Sequence, residues 1–219
     1  MTISDLVLYK DHNLIILNKP AGMPVQNDKS KDTSLLQLAI MYAKTTLFLI
    51  NRLDRPTSGI VMMAKKKEIQ TFFASNDKIK KEYLAVVKKG ITPAKNTLTH
   101  YLKKDGRKMR AEISETAKAE YKESILDYEI VKSMDNYDLL KIELRTGRFH
   151  QIRAQLSNIG HPIKGDVKYH ARRKNSDRSI HLHAYQISFQ HPKSKKQIEI
   201  TAPIPQNDGL WKSVAELMQ

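Results

Sequence analysis

The chain has no cysteine among its 219 residues. Disulfides and thiolate metal ligands are therefore excluded. Acidic residues are outnumbered, 23 against 38 lysines and arginines, for a net charge of +15 at pH 7. A surplus of that size points to a polyanionic partner, either nucleic acid or an anionic membrane surface. No apolar run approaches the roughly 18–20 residues that cross a bilayer. The opening residues Met1-Thr2-Ile3-Ser4-Asp5 lack the basic-then-apolar order of a signal peptide. Glycine-rich phosphate loops with Gly-x-Gly or Gly-Lys-Ser/Thr spacing are missing, as are internal repeats, low-complexity segments and an obvious linker. These absences favour a cytoplasmic chain that binds nucleic acid and not membrane, with one domain over residues 1–219.

Hydrophobic residues make up 40% of the chain, enough to fold. Leu6–Lys10 and Leu14–Asn18 read as strands joined by an Asp11-His12-Asn13 turn. A helix is expected over Thr33–Ala43 with Thr33 as its cap. Leu47–Ile50 and Ile60–Met63 read as short buried strands, and Lys66–Ser75 as a helix. Lys78–Lys81 is a basic joint before a strand at Glu82–Val87. Thr97–Lys132 reads as several strands with exposed faces, and Leu139–Leu144 as another that pairs back across Asp135-Asn136. A helix follows over Phe149–Asn158, with Phe149, Ile152, Leu156 and Ile159 facing inward. Then come a basic polar loop at His170–Arg178, a strand pair at Ile180–Phe189 and Gln197–Thr201, and a helix at Leu210–Leu217. Strands and helices mix without strict alternation. The expected class is α+β, with a mixed, mostly antiparallel central sheet and flanking helices.

Three stretches carry chemistry. In Asn51-Arg52-Leu53-Asp54-Arg55-Pro56-Thr57-Ser58-Gly59 one carboxylate sits between two arginines on a Pro-stiffened turn between strands. Taken alone, Asp54 is more often a turn acid that accepts backbone N–H bonds. Rigid placement between core strands also suits a reacting group. On the 149–158 helix, Arg153 lies beside the apolar stripe. It either snorkels to water or takes a carboxylate, for which Asp54 is a candidate. Thr146–Gln151 places Arg148 and His150 at a helix N-terminus, a plausible phosphate site. Tyr83 alone reads as an ordinary strand tyrosine. His181 and His183 share one strand face but lack a third ligand, so no metal is expected.

Together these stretches resemble the RluA-type RNA pseudouridine synthases. Arg52–Gly59 is similar to that family's His-Arg-Leu-Asp-x-x-Thr-Ser-Gly signature, and Lys81–Val87 to its Lys-x-Tyr-x-Ala-x-Val strand. Thr146–Arg153 followed by Gly160–Asp166 is similar to its Thr-Gly-Arg-x-His-Gln-Ile/Leu-Arg block and Gly-His-Pro-Ile-x-Gly-Asp tail. Asn18-Lys19-Pro20-Ala21-Gly22 matches its early turn. One position departs: Asn51 stands where the family most often has His, and an amide cannot take up a proton near neutral pH.

The resemblance implies the pseudouridine synthase fold, without an extra N-terminal RNA-binding domain, and isomerisation of uridine in ribosomal or transfer RNA with no cofactor and no metal. It implies Asp54, Tyr83 and Arg153 as catalytic residues. Asp54 is the essential acid, Arg153 its partner, and Tyr83 a surface against the flipped uracil. Arg52 is implied to fill the space the base vacates. Arg55, Arg148, His150, Gln151 and Lys164 complete the expected RNA contacts, in a monomer that binds no DNA. Two rival readings stand beside this one: a non-catalytic RNA-binding or assembly factor, favoured only by Asn51, and a metal-dependent hydrolase built on His181 and His183.

Overall fold

Most of the apolar runs become strands, and the breaks between them fall at the expected turns. The computed structural model describes residues 2–28, 30–74 and 78–218. After a 3-10 turn at Ile3–Leu6 come β1 (Val7–Lys10), β2 (Leu14–Lys19), α1 (Leu35–Ala43), β3 (Phe48–Leu49), β4 (Ser58–Ala64) and α2 (Lys67–Phe72). Next are β5 (Ile79–Lys88), β6 (Lys95–Asp105), β7 (Arg110–Ser114), β8 (Lys122–Ser133), β9 (Tyr137–Leu144) and α3 (Gln151–Asn158). A 3-10 turn at Val167–Tyr169 precedes β10 (Leu182–Gln190), β11 (Gln197–Thr201) and α4 (Gly209–Leu217). The class is α+β.

The chain divides into two compact units, Met1–Lys80 with His183–Gln219, and Lys81–Leu182. In the first, strands run in the order β1-β2-β4-β10, with β11 against β10 and β3 against β4. Pairing is antiparallel except for β4 with β10, which is parallel through Ser58–His183 and Gly59–Ala184. All seven residues of β4 are buried, which accounts for its unbroken apolar sequence. α1 lays Leu35 and Ala39 on a core that includes Ile15, Leu17, Val61 and Met63. The β1–β2 turn is set by Asp11, whose Oδ1 accepts the N–H groups of Asn13 and Leu14 at 2.7 Å each.

In the second unit the order is β5-β9-β8-β6-β7, all antiparallel. The pairs β8–β9 and β6–β7 join strands adjacent in sequence, whereas β5–β9 and β6–β8 join strands farther apart. α3 covers the β6–β7 end, where Ala154 and Tyr169 pack with Leu102 and Ala111.

Several boundaries differ from expectation, four of them instructively. The α1 cap is Ser34, not Thr33, because Ser34 and Gln37 exchange side-chain and backbone bonds in a capping box. α3 opens at Gln151, not Phe149, since His150 is left-handed at φ 53°. Most of the basic joint at Lys78–Lys81 lies in β5. Of the expected Lys66–Ser75 helix, α2 covers Lys67–Phe72, and Ser75 lies outside the described residues.

Candidate active site

The loop between β3 and β4 is braced at every turn by its own unit. β3 stops after Leu49, and the Asn51 amide continues its ladder. Asn51 Nδ2 donates to the Ile60 carbonyl at 3.1 Å, and Met62 N–H donates to Asn51 Oδ1 at 2.7 Å. A side chain thus stands in for two backbone groups that β4 would otherwise leave unmatched. Asp54 follows three residues later, half-buried. Its carbonyl accepts the Thr57 N–H at 3.0 Å, closing the turn that Pro56 stiffens.

The same loop is held from β2. Arg55 O accepts the Gly22 N–H at 2.8 Å and the Lys19 ammonium at 3.2 Å. Lys19 also donates to Pro20 O and Met23 O, both at 2.9 Å, and is 0% exposed. Its three donors are thereby matched to three carbonyls. Burial pushes its pKa down to about 7, and the Asp54 carboxylate opposes that fall. Gly59 ends the loop at φ +111°, where a Cβ would lie 2.3–2.8 Å from the backbone of Ala184. Only glycine permits that approach of β4 to β10.

Around Asp54, Arg52 is exposed, and Arg55 forms ion pairs with Asp28 at 3.4 Å and with Asp32. On the strand below, Ser58 Oγ and His183 Nδ1 share a hydrogen bond of 2.9 Å. Burial pushes the His183 imidazole down to about 4, so it is neutral near pH 7.

In the second unit, Tyr83 lies on β5 opposite Ile142 and is 7% exposed. Arg153 does not snorkel; it is 4% exposed. Within this unit its carboxylate is Asp166: Nε donates to Oδ2 at 2.7 Å and Nη2 to Oδ1 at 2.9 Å. Such a fork fixes the guanidinium plane as well as its charge. The Tyr169 ring lies under it, with 5.0 Å from the guanidinium carbon to the centroid. The Tyr169 hydroxyl accepts the Ala111 N–H at 2.6 Å and bonds His150 Nδ1 at 2.9 Å.

The block before α3 is internally braced. Gln151 is 3% exposed, and its Oε1 accepts from Thr146 Oγ1 at 2.9 Å and Arg148 N at 3.0 Å. Its Nε2 donates to Ile125 O at 3.1 Å. Arg148 Nε donates to Glu123 O at 3.1 Å. The His150 ring stacks on Phe149 at 3.8 Å, and burial together with nearby Arg153 pushes its pKa down to about 3. A neutral imidazole offers a phosphate hydrogen bonds but no charge. Lys164 donates to Asn175 Oδ1.

The two histidines weighed for a metal have separate commitments: His181 Nδ1 meets Asn175 Nδ2 at 3.1 Å, while His183 meets Ser58. Among the described residues no three His, Cys, Asp or Glu side chains group as ligands. Sequence reasoning gave no site role to Lys19, Asp166 or Tyr169. The first two lay inside quoted motifs, but nothing in a sequence says that a lysine after a strand will be buried.

Comparison with known proteins gives concordant results. The family model for RNA pseudouridylate synthase matches residues 13–158. The chain is 36% identical to ribosomal large subunit pseudouridine synthase C of Buchnera aphidicola, covering 96% of this chain and 70% of that protein. It is 32% identical to tRNA pseudouridine synthase C of Haemophilus ducreyi, covering 91% of each. Its fold is similar to that of human RNA pseudouridylate synthase domain containing 4, with a TM-score of 0.77 at 21% identity over 98% of this chain and 94% of that one.

Proposed function

This chain belongs to the RNA pseudouridylate synthase family of RNA-modifying isomerases, and from that premise we propose that it converts specific uridines to pseudouridine in ribosomal or transfer RNA with Asp54 as the essential acid. The reaction breaks the bond from C1′ of the ribose to N1 of uracil and forms one from C1′ to C5. The C5 hydrogen leaves as a proton and N1 gains one, so no electrons are exchanged with a cofactor.

The observation that carries the reading is the bracing of the Asp54 loop. Arg55 O is bonded from Lys19 and Gly22, and Asn51 ties the loop's start to β4. A carboxylate whose backbone cannot drift suits a reaction that depends on placement at the sugar–base junction. Asn51 spends both polar atoms on that bracing. Its position therefore has a task that needs no proton transfer, which weakens the case for a non-catalytic factor. Tyr83 and Arg153 keep the roles that the resemblance implies. The net charge of +15 supports phosphate contact.

The test is tritium release from uridine labelled at C5, in unmodified ribosomal and transfer RNA separately. Wild-type protein is expected to release tritium from one pool, and Asp54→Ala to release none while binding the same RNA within a few-fold. Turnover by Asp54→Ala would remove Asp54 from the role. The relatives' names include both a large-subunit ribosomal RNA enzyme and a transfer RNA enzyme, so the pool that responds identifies the substrate.

A further inference from the structure

The loop His170–Arg178 is the least explained basic stretch of the chain, and its construction is two-layered. Its buried layer is polar. Asn175 is 6% exposed and Ser179 is 2% exposed. Asn175 Oδ1 accepts from the Lys164 ammonium, and its Nδ2 donates to Ser179 Oγ at 3.3 Å and His181 Nδ1 at 3.1 Å. Its carbonyl accepts the Arg178 N–H at 3.1 Å. Asp177 Oδ1 accepts both the N–H and the hydroxyl of Ser179, at 2.9 and 2.7 Å. Gly165 makes room for this clasp: at φ +90° a Cβ there would lie 2.7–2.8 Å from the Asn175 amide and the Ser179 carbonyl.

The outer layer is cationic. Arg172, Arg173, Lys174 and Arg178 are all exposed, and none has an ion-pair partner among the described residues. Elsewhere cations are commonly matched: Arg55 with Asp28 and Asp32, Arg145 with Asp127, Lys141 with Glu129, Lys193 with Glu68. A plain solvated face needs no buried anchor. A backbone fixed from beneath removes part of the ordering entropy of presenting four unmatched cations, which favours a docking surface for a polyanion.

We propose that residues 170–178 form an RNA-backbone-binding loop, in which the Asn175 clasp presents Arg172, Arg173, Lys174 and Arg178 to successive phosphates. Contacts of this kind position RNA without reading its sequence. Asn175 acts as a positioning residue, and Gly165 is required because the clasp fills the space a side chain would take. The proposal rests on the reading of the chain as an RNA-modifying enzyme, and its test is arranged to fail separately from that reading.

The experiment measures Kd for ribosomal and transfer RNA transcripts against salt concentration, with KM for tritium release read in parallel. It compares the wild type with a variant carrying Arg172→Gln, Arg173→Gln, Lys174→Gln and Arg178→Gln. Each phosphate contact on single strands adds about 0.7 to the slope of log affinity on log salt. Loss of up to four contacts lowers that slope by up to about 2.8, so between 50 and 200 mM salt the wild type weakens up to about 50-fold more than the variant. The loss in kcat/KM falls on KM. Asn175→Ala, with all four cations kept, is expected to raise Kd several-fold at every salt concentration. An unchanged slope in the fourfold variant overturns the proposal, as does a loss confined to kcat. Loss of binding to phosphatidylserine vesicles with RNA binding intact also overturns it and reassigns the loop to a membrane surface. If the wild type binds RNA with the steeper slope yet releases no tritium, the loop contact stands and the proposed reaction falls.

Discussion

Replacing Asn51 by alanine removes a brace from the loop that carries Asp54 while leaving every charge in place. Two hydrogen bonds disappear, from Asn51 Nδ2 to Ile60 O and from Met62 N to Asn51 Oδ1. Each contributes about 1 kcal/mol net, and stranding the Met62 N–H, on a residue 1% exposed, adds a further desolvation cost. The expected loss is about 2–3 kcal/mol, or a fall in Tm of about 5–10 °C for a chain of this length. Asn51→His is expected to fall between the two, because a neutral imidazole can serve one of the two backbone groups through Nδ1 but not both. Urea unfolding gives the stability difference, and single-turnover tritium release gives the effect on chemistry. A displaced Asp54 lowers kcat at least about tenfold while RNA affinity changes little, since angstrom-scale misplacement of a reacting group costs up to about a hundredfold. An Asn51→Ala protein within about 0.5 kcal/mol and twofold in kcat of the wild type would refute the bracing role.

Three other outcomes follow from the geometry. Gly59→Ala forces a Cβ into the Ala184 backbone at 2.3–2.8 Å, and is expected to cost about 3 kcal/mol or more, read as loss of soluble protein or of a cooperative melt. Asp166→Ala leaves the buried Arg153 guanidinium without the carboxylate it forks in its own unit; the expected cost is about 3–5 kcal/mol in urea unfolding. His183 is neutral in the folded chain with its pKa lowered to about 4. The unfolded chain binds a proton near pH 6.5, so this stabilising contribution is present above that pH and is lost as pH falls toward 4. His183→Gln is expected to show a shallower loss of stability over that interval in a series of pH-dependent melts.

Much of the fold is legible in the sequence because burial and turn chemistry agree locally. The β1–β2 hairpin follows from two apolar runs around an Asp-His-Asn turn, and the bonds of Asp11 show why. β8 and β9 pair across Asp135-Asn136 as the alternation implies. Less legible were features in which a side chain replaces backbone. β3 ends one residue before its apolar run does, and beyond Ile50 the Asn51 side chain takes over the ladder. α3 starts late because Gln151 ties down the preceding turn and His150 turns left-handed. The motifs single out Asp54 in one unit and Tyr83 and Arg153 in the other. The Asp166 fork and the Lys19 cage were not legible, because both join groups whose meeting depends on tertiary packing. Asn175 was hidden for the opposite reason: it is the one buried residue in a run of exposed charge.

The parallel pairing of β4 with β10 also dictates an order of events. Gly59 cannot meet Ala184 until the intervening chain has been synthesised and drawn together. Closing a flexible loop of that length costs about 4 kcal/mol in chain entropy. The intervening unit, Lys81–Leu182, is continuous in sequence, and its β6–β7 and β8–β9 pairs join antiparallel strands adjacent in the chain. Once folded it holds Val86 N and His181 O at 3.0 Å, so its two exits are already side by side. A sequence-continuous unit of this kind is expected to fold before the discontinuous one and to shorten the loop that Gly59 and Ala184 must close, an order that pulse-labelled hydrogen exchange during refolding would check.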